Sequence, residues 1–87
     1  MTLTATPDLE SIVADKVIDA RGTACPGPLL EAKKGMATVA LGGVVEIWST
    51  DPVTKTDIAA WSGKVGHEFL GVVPADGYDR VFVIKRK

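Results

Sequence analysis

The sequence predicts an α/β fold of the α+β two-layer sandwich type: a four-stranded mixed sheet with two helices on one face, in the order β-α-β-α-β-β. Three observations carry that expectation. Two helical patterns stand between short runs rich in β-branched residues, and glycine closes each of them, Gly42-Gly43 and Gly66. A short loop holding Asp76-Gly77 separates the last two strand-like runs, which marks a hairpin. Two helices can cover only one face of such a sheet. The two crossovers run the first three strands in one direction, and the hairpin reverses the fourth.

Taken in order, residues 1–15 read as a flexible leader, with one or two helical turns possible between Asp8 and Ala14. Lys16 to Ala20 reads as a strand built on Val17 and Ile18, ended by Gly22. Residues 26 to about 41 read as a helix, since Leu29, Ala32, Met36 and Ala40 recur at spacings of three and four. Gly35 weakens it by about 1 kcal/mol relative to alanine. Val44 to Ser49 alternates, placing Val45 and Ile47 on one face and Val44, Glu46 and Trp48 on the other. Trp48 and Glu46 then belong on or near the uncovered face, which must be solvated or partnered. Asp51 at the N-cap and Pro52 at the first helical position open a second helix, lined by Ile58, Trp61 and Val65. His67 to Val73 is the third strand. Asp76-Gly77 suits a type I′ turn, with positive φ at both residues. Tyr78 to Lys85 is the fourth strand, alternating Val81 and Val83 against Phe82 and Ile84.

Composition narrows the function classes. Eighty-seven residues support one domain, read as residues 16–87, with one modest core. Hydrophobic residues at 46% and charged residues at 24% fit a globular rather than a disordered chain. A formal net charge of -1 gives no general attraction to nucleic acid or to an anionic membrane. The absence of a long apolar run, of a signal-peptide pattern and of a second cysteine fits a cytoplasmic protein. One cysteine and one histidine cannot fill a zinc site.

Chemistry concentrates in Arg21-Gly-Thr-Ala-Cys25-Pro26-Gly27-Pro28, where the first strand gives way to the first helix. With Cys25 at the N-cap, Pro26, Gly27 and Pro28 fill the first three helical positions. Prolines there lose no helical hydrogen bond, and the free donors nearest the sulfur are the N–H groups of Gly27 and Leu29. Such a setting, with the positive helix end, lowers a thiol pKa from about 8.5 by roughly one unit or more. The residues alone leave this exposed nucleophile level with the plainer reading, a small buried side chain. His67 begins the third strand and so lies roughly 15–20 Å away at the opposite end, which excludes a Cys–His pair. With no second cysteine, a thioredoxin-like redox role is disfavoured. The topology brings Arg21, Asp51 and Lys55 to the cysteine end. Arg21 and Lys55 read either as cations that stabilise a thiolate or persulfide anion or as solvated surface charges; Asp51 reads as a helix cap.

Asp19-Ala20-Arg21-Gly22, Cys25-Pro26-Gly27-Pro28, Asp51-Pro52 with Asp57-Ile58, and Gly66-His67-Glu68 together resemble the TusA (SirA-like) sulfur-carrier family over about residues 16–87. The resemblance implies the same β-α-β-α-β-β sandwich. It implies that Cys25 accepts sulfane sulfur as a persulfide and relays it without an independent turnover reaction, the sulfur being carried covalently with no other cofactor. Pro26 and Pro28 shape its turn. The donors implied are cysteine desulfurase or rhodanese-like proteins, and the acceptors DsrE-like or heterodisulfide-reductase-like proteins. The routes implied are sulfur oxidation and trafficking or tRNA 2-thiouridine formation, with no direct contact to nucleic acid or membrane. The form Cys-Pro-Gly-Pro-Leu-Leu followed by Lys33-Lys34 leans towards the sulfur-metabolism members. Some members carry a basic residue where Thr56 stands here, and some a second cysteine near Ser62. Two other classes compete: a regulatory or protein-interaction module without sulfur chemistry, and an RNA-binding domain, the latter disfavoured by the acidic balance and few aromatics.

Overall fold

A computed structural model describes residues 12–23 and 27–87, so most of the expected leader, with Ala24, Cys25 and Pro26, lies outside the described residues. Residues 12–14 have no regular secondary structure. The elements are β1 (Lys16–Asp19), α1 (Gly27–Met36), β2 (Val44–Ser49), α2 (Thr54–Val65), β3 (Glu68–Pro74) and β4 (Asp79–Ile84). The α+β architecture is the expected one. The four strands lie in the order β1-β2-β4-β3, with β1 parallel to β2 and β4 antiparallel to both its neighbours. Burial explains why the last strand sits inside the sheet. Val81, Phe82 and Val83 are all fully buried, and a strand apolar on both faces belongs at the centre. In β1 only Ile18 is buried, which suits an edge.

The main core lies between sheet and helices. Ile18, Val45, Ile47, Val81 and Val83 meet Ala32, Met36 and Ile58, with Leu29, Trp61, Phe69 and Val72 packed around them. Gly35 has a packing role in α1. A Cβ there would come 2.2 Å from Ile18 Cδ1, so glycine is what lets α1 lie close on β1.

Four expectations change. Helix α1 stops at Met36 rather than near residue 41. Both the N–H and the hydroxyl of Thr38 donate to Gly35 O, at 3.0 and 2.7 Å, so local bonds of a β-branched residue replace the helical ladder. Gly42 N then donates to Lys85 O at 2.7 Å, tying the connection to the end of the sheet. Helix α2 starts at Thr54, and Val53 rather than Asp51 stands at its N-cap, without a side-chain cap. Asp51 instead forms the preceding turn: its Oδ1 accepts from Val53 N at 2.9 Å and its carbonyl from Thr54 N at 3.1 Å. The inner side of α2 carries Thr54, Ile58 and Ser62, while Val65 is 40% exposed. Finally, the hairpin closes through Ala75 N to Tyr78 O at 2.8 Å, but only Gly77, not Asp76, has positive φ. The type I′ turn is therefore absent; the left-handed conformation falls on the glycine, where it carries no Cβ penalty.

The face away from the helices is less open than expected. Phe82 and Glu46, neighbours across β4 and β2, are both buried there. Arg80 lays its guanidinium over the Phe82 ring, 5.3 Å from the centroid, and its Nε donates to Glu46 Oε2 at 2.8 Å. The Trp48 indole donates to the same oxygen. A buried carboxylate is tolerable only with such partners.

Candidate functional site

Beyond β1 the chain makes a tight turn held by β2 and by the segment that follows it. Ala20 N donates to Trp48 O at 2.9 Å, continuing the parallel pairing with β2. Thr23 N donates to Ala20 O at 3.2 Å, and Gly22, at φ 81°, supplies the left-handed residue the turn needs. Gly22 N donates to Thr50 Oγ1 at 2.9 Å, fastening the turn to the segment after β2. On the far side of the cysteine, Pro28 is buried in the first turn of α1. Gly27 touches the turn directly: a Cβ on it would lie 2.1 Å from Thr23 Cγ2. Cys25 and Pro26 stand between these two anchors in sequence and lie outside the described residues. A shallow cavity of about 270 Å³, lined by Gly22, Thr23, Thr50 and Asp51, opens at this end.

The charged residues assigned to this end have other partners. Arg21 grips Asp19 with two parallel bonds of 2.8 Å, Nε to Oδ1 and Nη2 to Oδ2. Its guanidinium carbon also lies 4.9 Å from the ring centroids of both Trp48 and Tyr78. The hydrogen bonds from Arg21 hold the Asp19 carboxyl down at about 2. Arg21 is therefore an anchored cation, paired with a carboxylate of its own strand end. Lys55 Nζ pairs with Asp79 Oδ2 at 3.3 Å, so it too faces a carboxylate. Asp51 shapes the turn before α2, as described above.

His67 lies at the opposite end of the sheet, next to the start of β3. Its Nδ1 accepts from Arg86 N at 3.2 Å, and its ring meets Trp61 edge-on at 5.5 Å. Burial, with the nearby Lys85 charge, pushes its pKa down. Sequence reasoning missed Thr23 and Thr50 and the clamp of Asp19, Trp48 and Tyr78 on Arg21. These partners come from separate elements, and the only local hint was Asp19 two residues before Arg21. Among the described residues no cluster of three metal-ligating side chains exists, and no helix is long and apolar enough to cross a membrane.

The family model described as Sulfurtransferase TusA matches residues 16–86. The chain belongs to the TusA family. A relative from Archaeoglobus fulgidus is 45% identical over 71 residues, which are 82% of this chain and 97% of that protein. The sulfur carrier protein TusA of Pseudomonas entomophila is 36% identical over 63 residues, 72% of this chain and 79% of its own length. The crystal structure of a SirA-like protein from Desulfitobacterium hafniense superposes with a TM-score of 0.73 at 26% identity, covering 83% of this chain and 99% of that one. The TusA match thus spans every element from β1 to β4, and the Cys25 motif falls inside it.

Proposed function

We propose that this TusA-family chain is a sulfur carrier whose Cys25 holds sulfane sulfur as a persulfide between a donor and an acceptor protein. The observation that carries the reading is the family match over residues 16–86, with the lone cysteine in its Cys-Pro-Gly-Pro motif. The anchored turn supports it: the Gly22–Thr50 bond and the Gly27–Thr23 contact fix the residues that flank the cysteine in sequence. In the first step the Cys25 thiolate attacks the outer sulfur of a donor persulfide. The donor S–S bond breaks, its electron pair leaves with the donor thiolate, and Cys25–S–SH forms with its proton. In the second step an acceptor thiolate attacks that outer sulfur and releases the Cys25 thiolate. Neither step changes the overall oxidation level.

Because Arg21 and Lys55 are paired, thiolate stabilisation falls to the start of α1, where Gly27 and Leu29 keep N–H groups that Pro28 lacks. A domain this small cannot enclose two partners, so cysteine desulfurase or rhodanese-like donors and DsrE-like or heterodisulfide-reductase-like acceptors would meet it in turn. Intact-mass analysis after incubation with polysulfide or a persulfide-loaded rhodanese-type enzyme tests the proposal. The native chain gains one sulfur atom that a thiol reductant removes; Cys25→Ser gains none. No gain in the native chain, or an equal gain in the variant, overturns it.

A further inference from the structure

We propose that the groove between α1 and α2 docks an acidic, apolar-anchored segment of a protein partner; only the choice of a protein as occupant rests on the sulfur-carrier reading. Two adjoining cavities of about 410 and 250 Å³ share Lys33 and Trp61 and together run along the two helices. Their floor is apolar, with Leu29 and Val65 beside the Trp61 indole in one cavity and Met36 in the other. Lys33, Lys64, Lys85 and Lys87 stand along it.

The charge pattern selects the partner's chemistry. Five basic side chains elsewhere are matched to carboxylates: Arg21 to Asp19, Lys34 to Glu31, Lys55 to Asp79, Arg80 to Glu46 and Arg86 to Glu68. Among the described residues, none of the four groove lysines makes such a pair, and Asp57 is the acidic side chain lining the groove. In a chain of formal net charge -1 this is a local surplus of positive charge. Two of the lysines are already positioned. Lys85 Nζ donates to Val39 O at 2.9 Å, and the Lys87 stem lies across Gly66, where a Cβ would come 2.8 Å from its Cε. Ordered cations over an apolar floor favour a segment that presents carboxylates beside an aliphatic anchor. The groove begins at Leu29, in the first turn of α1, and extends about 10 Å along that helix to Met36. A partner seated there contacts α1 from a point four residues after Cys25 in the sequence, and its charged contacts fall further along the helices.

The test uses the full chain carrying Cys25→Ser, so that it reads docking and not sulfur transfer. The probes are a synthetic amphipathic peptide of glutamate and leucine, its glutamine isostere, oligouridylate and inorganic phosphate. The acidic peptide is expected to shift the amide resonances of Leu29, Lys33, Trp61 and Lys64 and to raise the pKa of His67. Its affinity should weaken about tenfold or more between low and high salt. Lys64→Glu with Lys87→Glu should weaken it by about tenfold or more, whereas Lys16→Glu, outside the groove, leaves it unchanged. Should the double variant fail to fold, Lys64→Gln alone must still weaken binding. Equal binding of the glutamine peptide, shifts confined to other surfaces, or tighter binding of oligouridylate or phosphate overturns the proposal. Persulfide loading in the mass experiment stands or falls separately.

Discussion

At the end of the sheet where β1 and β2 finish, Arg21, Lys55 and Arg80 each rest against a carboxylate. Around the α1–α2 groove, reaching to the opposite end, Lys33, Lys64, Lys85 and Lys87 have no carboxylate partner among the described residues. The contrast separates two uses of positive charge. At the first end cations fix backbone and rings in place. Along the groove cations stay available to something outside the molecule.

The strongest way to break the comparison is Glu46→Ala. It leaves Arg80 and the Trp48 indole without their shared acceptor on a buried face, and the fold should lose about 2–3 kcal/mol in urea denaturation. A near-neutral outcome would mean that the cations at this end are not structural. Next comes Gly27→Ala, whose new Cβ meets Thr23 Cγ2. A loss of about 1–3 kcal/mol is expected, together with slower persulfide loading, and Thr23→Ser should restore most of both by removing that methyl. If Gly27→Ala loads sulfur normally without rescue, the two sides of the loop do not brace each other.

Arg21→Ala sharpens the electrostatic half. Asp19 titrates at about 2 because Arg21 binds it, and its carboxyl should return towards 3.8 in the variant, as read by side-chain carbon NMR. The sign follows from that lowered value. The pair stabilises the fold above pH 3.8 and its contribution fades as pH falls through about 2. An unchanged Asp19 titration in Arg21→Ala would show that another group holds the carboxyl down. The smallest expected effect lies at the groove. Lys64→Gln with Lys87→Gln should leave stability within about 0.5 kcal/mol of the native chain, since neither lysine satisfies an internal carboxylate. A larger loss would class these lysines with the structural cations and remove the contrast.

The pattern of success along the chain has a physical basis. β2 was readable because Val45 and Ile47 alternate with Glu46 and Trp48, and a period of two is a local property. The end of α1 was not, because Ala40 fits a helical spacing while Thr38 bonds back to Gly35 and the sheet holds Gly42. Gly35 looked like a weakness in a helix; its contact with Ile18, across the layer, gives it a purpose. Around the cysteine, the glycines and prolines announced a turn, but Thr50 as its fastening and the rings on Arg21 were invisible, since each comes from a different element.

The sequence by itself determined the succession of strands and helices, the direction of each strand and the placement of the cysteine motif between β1 and α1. Those follow from short-range periodicity, glycine and proline geometry and the handedness of crossovers. Only the tertiary structure decided that β4 enters between β2 and β3, that Glu46 is buried, that Arg21 is held by Asp19, and that four lysines gather on one groove. Each of those depends on which distant surfaces exclude water together, and burial of one residue against another far along the chain leaves no mark in the residues beside it.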